Sequence, residues 1–372
     1  MKVAVVHDWF NEIGGAEKVV REILLCFPDA DVFSLIDFYD EQKRDKYLLG
    51  KKAKTSFIQY IPFSKKFYRF LFPLFPKAVE SLDLSSYDLI ISSSSSVAKG
   101  IQKTKSQLHI CYCHSPVRYA WDLRQDYLSV MKNPVSKFIF NYFLNRLQKW
   151  DLKANERVDF FIANSQNVKD RIKKNYNREA VVIYPPVNVD SFEITNAKDD
   201  YYFTVSRLVS YKKTEQIIKA FAKFPHLKLV VAGDGPNKRR IHKIASGNVE
   251  ILGYISPELL REKIKHAKAF VANANEDFGI TVVEAQSSGT PIIVPFIGGY
   301  KETVNESVGQ FFEKQTKEDI EKAIALFESQ KKVYKQEDFI KNTERFDKKH
   351  FQKEFLAFVE QSYKEFSINE HK

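Results

Sequence analysis

The sequence predicts an α/β protein made of two successive Rossmann-like domains, each with a doubly wound parallel sheet. Short apolar segments alternate with helical ones along the chain, which is typical of parallel sheets covered by helices. The alternation stops at Pro185-Pro186 and then starts again, so we place a linker there. A chain of 372 residues, 44% of them hydrophobic, is long enough for two such domains.

The first domain is placed at residues 1–187 and opens with the apolar segment KVAVVH. A helix is predicted to begin after Ser165, whose hydroxyl can accept a hydrogen bond from the free N–H groups of a first turn. The other predicted helix is 16–27. The predicted strands are 2–7, 31–35, 89–92, 108–113, 160–164 and 181–184.

The second domain is placed at residues 188–349. Its predicted strands are 202–206, 228–233, 249–252, 269–272 and 291–295, its predicted helices are 214–224 and 281–288, and a long helix over about 349–366 closes the chain. Ligands of doubly wound sheets bind outside the carboxyl ends of the strands. The residues that follow each strand are therefore the candidate site residues, and the cleft between the two domains is the expected site.

The net charge of +11 is concentrated in one block. Residues 51–150 hold 16 basic and 5 acidic residues, whereas the rest of the chain holds 42 of each. Within this block, residues 51–79 interleave seven basic residues, including Lys65, Lys66 and Arg69, with eight aromatic ones. This pattern favours contact with an anionic membrane surface. The alternatives are a solvated lysine-rich loop over an aromatic core and a nucleic-acid surface, but no nucleic-acid motif accompanies the charge.

Three cysteines indicate a reducing compartment rather than a disulfide framework. The N-terminus reads as a strand instead of a secretory signal, and no apolar run has the length of a membrane span. We therefore expect a cytoplasmic protein, peripherally associated with the inner face of the membrane. Asp29-Ala30-Asp31 matches a metal-binding D-x-D pattern, but its position in a turn before a strand argues against a metal role.

The strongest candidate site is the segment 275–289, which follows a predicted strand and opens a helix. It carries two carboxylates, Glu276 in the loop and Glu284 in the helix, which suit a pair of catalytic acids or the binding of sugar hydroxyls. The free N–H groups of the helix start suit a phosphate or a sugar hydroxyl. The residues at this start are Phe278, Gly279, Ile280 and Thr281.

Further candidates follow other strands. Arg207 and Lys212 lie in one loop, where two cations can neutralise a diphosphate, although ordinary surface charge is the alternative. His114 follows an apolar strand and is either a ligand contact or a structural histidine. The same loop carries Arg118, Tyr119 and Trp121, whose side chains are common in sugar and acceptor sites. Two other loops carry Gly15 and Gly233, which let a ligand approach the backbone.

In this order, these elements resemble glycosyltransferase family 4, whose members have the two-domain GT-B fold and retain anomeric configuration. The resemblance covers almost the whole chain: the Gly-Gly loop, the histidine loop, the hinge YPPVN at 184–188, RLVSYK, GDGP, and the two glutamates eight residues apart. The segments CYCHSPVRYAWD and SSSSSVAKG look like a branch of bacterial O-antigen and exopolysaccharide mannosyltransferases.

The resemblance implies a role for each candidate. Arg207 and Lys212 would hold the diphosphate, Glu284 the ribose and Glu276 the sugar hydroxyls, with the backbone of 278–281 beside them. His114 would contact the sugar near the reacting carbon. Gly15 and Gly233 would lie close to the donor, and Leu252 would lie in the stretch that passes the base. The final helix, about 350–372, would cross back onto the first domain, and no metal or other cofactor is expected.

The function expected from this resemblance is transfer of mannose from GDP-mannose to a lipid-linked or polysaccharide glycan. A UDP-sugar transferase of the same family is the alternative enzyme. A non-catalytic scaffold that binds glycan or membrane is the alternative from another class.

Overall fold

The computed structural model of the chain describes residues 1–129 and 131–370. Two compact units are present: unit 1 is Met1–Pro186 together with the chain from Lys349 onward, and unit 2 is Val187–Lys348. The boundary falls directly after the proline pair.

Unit 1 contains a seven-stranded parallel sheet in the order β3-β2-β1-β4-β5-β6-β7. Its strands are β1 (Val3–His7), β2 (Asp31–Ser34), β3 (Lys54–Thr55), β4 (Leu89–Ser94), β5 (Leu108–Cys113), β6 (Phe160–Ala163) and β7 (Val181–Val182). Alternate residues of β1 enter different cores: Val5 packs in one hydrophobic cluster, Ala4 and Val6 in another. A sheet with both faces covered needs apolar residues at every position, and this explains the unbroken run VAVV.

The helices of unit 1 lie along both faces of this sheet. They are α1 (Gly15–Cys26), α2 (Glu41–Leu48), α3 (Ser64–Phe67), α4 (Phe75–Glu80), α5 (Arg124–Ser129), α6 (Pro134–Ala154) and α7 (Gln166–Tyr176). Ser165 caps α7, as predicted, by accepting from the N–H of Val168 at 3.1 Å. Helix α6 was not predicted; it starts at Pro134, and the Asn133 side chain accepts from two N–H groups of its first turn.

Unit 2 contains a six-stranded parallel sheet in the order β10-β9-β8-β11-β12-β13. Its strands are β8 (Tyr201–Val205), β9 (Lys228–Ala232), β10 (Val249–Gly253), β11 (Ala269–Val271), β12 (Ile292–Pro295) and β13 (Gly309–Phe312). Its helices are α8 (Thr214–Phe221), α9 (Lys238–Ile244), α10 (Pro257–His266), α11 (Ile280–Ser287), α12 (Tyr300–Thr303), α13 (Lys317–Gln330) and α14 (Gln336–Thr343).

The closing helix α15 (Lys348–Glu370) starts at the end of unit 2 and packs in unit 1. Phe351, Phe355 and Val359 join the same core as β1, at spacings of four residues that place them on one helix face. Residues 371 and 372 of the predicted closing helix lie outside the described residues. Among the described residues, every helix is too short or too polar to cross a membrane.

The predicted α/β fold with two parallel sheets is confirmed, and each predicted strand is present with ends that shift by up to two residues. The short strands β3 and β13 and several helices, including α10 and α13, were not predicted. Both sheets are doubly wound, because the strand order reverses beside β1 in unit 1 and beside β8 in unit 2.

Candidate functional site

The reversal of strand order gives each sheet a crevice at the carboxyl ends of two neighbouring strands. In unit 2 these strands are β8 and β11, and in unit 1 they are β1 and β4. Loops that leave such strands diverge to opposite faces and leave room for a ligand between them.

The loop after β8 carries Arg207 and Lys212 and is held by the loop after β9. Gly233 packs so closely on this loop that a Cβ there would lie 1.9 Å from the carbonyl oxygen of Ser206, and its φ of +125° also favours glycine. The N–H of Leu208 donates to the carbonyl of Asp234 at 2.9 Å. Gly233 therefore fixes the path of the Arg207–Lys212 loop, and the Arg207 side chain is exposed.

The loop after β11 brings Glu276 to Lys212, 64 residues earlier in the chain, and the two side chains form an ion pair. About a fifth of each side chain is exposed, 20% for Lys212 and 23% for Glu276, so a ligand can reach both. The two predicted motifs, one for phosphate and one for sugar hydroxyls, thus meet at one place in unit 2.

The start of α11 lies beside this pair and follows a left-handed residue. Gly279 has a φ of +94°, and a Cβ on it would lie 2.9 Å from the ring of Tyr300. The first N–H bond of the helix runs from Val282 to the carbonyl of Gly279, so the N–H groups of Ile280 and Thr281 precede the intrahelical ladder. The Phe278 ring is buried against Phe346, so Phe278 can contribute to a ligand site through its backbone and not through its ring.

The remaining candidates of unit 2 are less open. Glu284 is buried in the second turn of α11, on the same helix as Ile280 and Thr281. Leu252 lies near the end of β10 and packs against the core. Tyr254, two residues later, is 78% exposed. The carbonyl of Glu276 accepts from Gly299 N–H at 2.9 Å, which ties the Glu276 loop to the loop after β12.

In unit 1, His114 follows β5 and is almost fully buried. Its Nε2 lies 2.8 Å from the hydroxyl of Ser93, which in turn contacts His7 at the end of β1. His7 faces Glu17 of α1 across 3.3 Å. Burial lowers the pKa of His114 to about 3, with a smaller contribution from the charge of His7, so His114 is neutral at neutral pH.

The first loop of unit 1 ends where α1 begins, at Gly15. The carboxylate of Glu17 accepts from the N–H of Gly14 at 2.7 Å and so caps the helix. Gly15 is thus held next to the polar chain that ends on His114, through Glu17 and His7.

The serine run, residues 92–96, begins inside β4, and the backbone at its end binds a carboxylate of this chain. Asp8 accepts four backbone N–H groups, those of residues 95 to 98, at 2.7 to 2.9 Å. The backbone here forms an anion site that Asp8 fills, so the run holds β1 to β4.

The polar atoms of the aromatic loop after His114 form hydrogen bonds with other residues of the chain. The indole N–H of Trp121 donates to Asp151 at 2.8 Å, and the Tyr119 hydroxyl lies 2.7 Å from that of Ser96. Arg118 directly precedes Tyr119 and is partly buried. A role for these three in acceptor binding stays a prediction.

The segment 51–79 presents basic and aromatic side chains to solvent. Lys65 and Lys66 are exposed, as are Phe63 and Phe70 at 79% and 78%. Arg69 is also exposed but donates to Glu12 of the first loop at 3.2 Å. Of the two aspartates of the D-x-D pattern, Asp31 accepts hydrogen bonds from Tyr87 and Lys54.

Sequence reasoning missed His7, Glu17 and Ser93. His7 is the last residue of β1, and the rule applied to other strand ends would have found it. Ser93 was grouped with the serine run, and only the register of β1 with β4, which pairs His7 with Ser93, shows that the two meet.

Two family descriptions match consecutive parts of the chain. Residues 13–191 match Glycosyltransferase Family 4, and residues 188–346 match Glycosyl transferases group 1. An uncharacterized glycosyltransferase of Methanocaldococcus jannaschii is 25% identical over 99% of both chains. The alpha-monoglucosyldiacylglycerol synthase of Acholeplasma laidlawii is 28% identical over 40% of this chain and 39% of its own.

Solved structures share the fold. Anabaena HepE in complex with UDP aligns with a TM-score of 0.73 at 16% identity, over 97% of this chain and 100% of that one. The lipopolysaccharide outer core galactosyltransferase WaaB aligns with a TM-score of 0.66 at 18% identity, over 97% and 99%.

Proposed function

Since this chain is a family 4-like glycosyltransferase of the GT-B fold, we propose that it is a retaining enzyme that transfers a hexose from a nucleotide diphosphate sugar to a glycan acceptor. Mannose from GDP-mannose is the donor we propose, on the resemblance of the histidine and serine segments to mannosyltransferases. The acceptor we propose is a lipid-linked or polysaccharide glycan at the inner face of the cell membrane.

The Lys212–Glu276 ion pair carries this proposal. The ammonium and the carboxylate stand at the reversal of strand order, beside the free N–H groups of α11. A diphosphate sugar supplies a partner for each: its phosphate oxygens replace Glu276 on Lys212, and the released carboxylate accepts from sugar hydroxyls.

The proposed reaction breaks the bond between the anomeric carbon and the phosphate oxygen and forms a bond from that carbon to an acceptor oxygen. The acceptor's proton passes to the departing phosphate on the same face of the sugar. Arg207 and Lys212 stabilise the negative charge that develops on the phosphate. This route needs no metal, so we expect turnover to survive a chelator.

The donor proposal is tested by titrating the protein with GDP-mannose, UDP-glucose and UDP-N-acetylglucosamine in a calorimeter, and then assaying transfer to a lipid-linked acceptor. Tight binding of GDP-mannose alone is expected. A UDP-sugar is the second candidate, because HepE, a protein of the same fold, was solved with UDP. Binding of no nucleotide sugar at all would contradict the proposed function and favour the scaffold.

The site proposal is tested by Lys212→Ala and Glu276→Gln, which should each reduce kcat by roughly 100-fold or more, as removal of one charge-stabilising group does. Lys268→Ala is the matched control, because Lys268 forms an ion pair with Glu328 at 2.7 Å at the amino end of β11 in the same sheet. Near-normal turnover of both site variants, or an equal loss in the control, would remove the basis for this assignment.

The membrane proposal rests on the exposed basic and aromatic residues of segment 51–79. Helix α6 extends this surface: Val135, Phe138, Ile139 and Tyr142 are all about half exposed or more, at helical spacing on one face. Phe72 of the segment packs on Phe140 of α6, with ring centroids 5.3 Å apart, and so joins the two elements. The Acholeplasma relative is named for a diacylglycerol lipid product, which fits a lipid-linked acceptor.

A further inference from the structure

A chain of four buried polar side chains runs beneath the start of α1. It leads from Glu17 through His7 and Ser93 to His114, and each is at most 9% exposed. His7 Nε2 lies 3.3 Å from Glu17 Oε1, His7 Nδ1 lies 3.1 Å from Ser93 Oγ, and Ser93 Oγ lies 2.8 Å from His114 Nε2. The hydrogen-bonding capacity of each group determines where the protons are.

The carbonyl oxygen of Ser93 fixes one proton of His7. It lies 3.0 Å from Nδ1, and because a carbonyl can only accept, Nδ1 must carry hydrogen. The other ring nitrogen, Nε2, faces the carboxylate of Glu17, which can accept a hydrogen bond from it. Burial by itself lowers the pKa of His7, but the hydrogen bond and charge of Glu17, with smaller contributions from Asp8 and the Ser93 carbonyl, outweigh it and raise the pKa.

The hydroxyl of Ser93 can then donate its hydrogen bond to only one of its two histidine neighbours. It cannot point to His7 Nδ1, which already carries hydrogen, so it points to His114 Nε2. The reverse arrangement, in which His114 Nε2 carries the hydrogen, would leave a buried hydroxyl proton without an acceptor, which is unfavourable. Nε2 of His114 therefore accepts, and a neutral imidazole that accepts at Nε2 carries its proton on Nδ1.

We propose that Glu17, His7 and Ser93 are positioning residues that hold His114 in the Nδ1–H form. In this form Nδ1, the ring nitrogen that Ser93 does not contact, donates a hydrogen bond to an oxygen of the sugar or phosphate. The identity of that recipient rests on the proposed function, whereas the proton position on His114 does not. A donor suits these ligands because their hydroxyl and phosphate oxygens accept. With the opposite tautomer the same ring would present a lone pair and repel a phosphate oxygen.

A matched control lies one residue away on β4. Ser92 contacts the Nε2 of His109 at 2.8 Å, the same distance as the Ser93–His114 contact, and the two histidines are both buried. His109 Nδ1 lies 2.9 Å from the Arg157 carbonyl and has no part in the chain from Glu17. Ser92→Ala therefore removes an equivalent serine–histidine bond from the same strand without touching His114.

The test reads the proton position directly by nitrogen-15 NMR of the full-length protein labelled on histidine, with His114→Gln used to assign the His114 signals. At pH 7 the wild type is expected to show a protonated Nδ1 and an unprotonated Nε2. Ser93→Ala should give a mixture of tautomers, Ser92→Ala should leave His114 unchanged, and Ser93→Thr, which keeps the hydroxyl, should restore the wild-type form. A protonated Nε2 in the wild type, or an unchanged tautomer in Ser93→Ala, would overturn the proposal.

A kinetic measurement distinguishes positioning from a structural role. With whichever of GDP-mannose and UDP-glucose the wild type uses, Ser93→Ala is expected to lower kcat by roughly 10- to 100-fold, the scale of a misplaced group, and to change KM little. Glu17→Gln should give a smaller loss. Equal losses in Ser92→Ala and Ser93→Ala would reject positioning. If the wild type uses no nucleotide sugar at all, the proposed function fails, and the NMR result still decides the proton position.

Discussion

Two buried histidines give unit 1 a defined response to acid. Burial lowers the pKa of His109 to about 4 and that of His114 to about 3, whereas an unfolded chain has the ordinary value of 6.5. Below pH 6.5 the unfolded state therefore binds protons that the folded state does not, and the free energy of unfolding falls as the pH falls. His7 has a raised pKa, so its stabilisation is fully present below pH 6.5 and is lost only as the pH rises through its folded-state pKa.

The expected loss between pH 6.5 and 5 is about 1.6 kcal/mol for each of the two histidines. Urea unfolding followed by tryptophan fluorescence measures it, because the three tryptophans, Trp9, Trp121 and Trp150, all lie in unit 1. His109→Gln should reduce the slope of stability against pH by about half. His242→Gln, at an exposed position of unit 2, should leave it unchanged, and an unaltered slope in His109→Gln would contradict the assignment.

At the scale of elements, the packing of loop on loop decides the geometry of the Lys212 region. Gly233→Ala would place a methyl group 1.9 Å from the Ser206 carbonyl oxygen and also requires a strained φ. We expect a loss of stability of more than about 3 kcal/mol, since backbone atoms cannot move aside as a flexible side chain can.

The control is Gly247→Ala, because a Cβ at Gly247 meets nothing within 4 Å. Its effect should stay within about 0.5 kcal/mol. Differential scanning calorimetry of both variants provides the comparison. Equal melting temperatures in the two would show that the loops adjust, and that Gly233 does not fix the path of the Arg207–Lys212 loop.

At the scale of the whole molecule, the last helix completes the core of the first unit. Phe355 of α15 is fully buried in that core, whereas Leu356 beside it is 36% exposed. Phe355→Ala should reduce the stability of unit 1 by about 3–5 kcal/mol, and Leu356→Ala by far less. Tryptophan fluorescence follows unit 1, and similar losses in both variants would contradict the predicted packing.

The charge distribution of the whole chain predicts membrane binding by one unit. Replacing Lys65, Lys66 and Arg69 by Ala should weaken binding to anionic vesicles by about 1 kcal/mol for each fully engaged residue. Arg69 should contribute less, because it already pairs with Glu12. Cosedimentation with phosphatidylglycerol vesicles measures the effect, and added salt should reduce binding.

The control removes three exposed lysines of unit 2, Lys331, Lys332 and Lys335, so that the net charge changes equally. Binding should then stay near that of the wild type. If both triple variants bind alike, net charge rather than the surface of segment 51–79 and α6 governs association. Phe138→Ala separately tests whether α6 inserts an apolar side chain, and here a loss is expected that salt does not change.

The sequence by itself determined the class of fold, the strands and the loops in which chemistry was sought. Strand periodicity, the proline pair and glycine punctuation are local signals, and they lie in the chain as written. The same holds for Lys212 and Glu276, because each lies in the loop after a strand and carries a charge. The helices α6, α10 and α13 were missed, although the sequence itself carries helical spacing such as that of Ile320, Ala323 and Ile324 in α13.

Tertiary structure alone decided which of these residues meet. Strand order brings Lys212 to Glu276 across 64 residues, and the register of β1 on β4 brings His7 to Ser93 across 86. It also bound the end of the serine run to Asp8 and the indole N–H of Trp121, a residue that sequence reasoning had placed among the acceptor candidates, to Asp151. A hydrogen bond depends on distances of a few tenths of an ångström between residues far apart in the chain, and no local pattern encodes these distances.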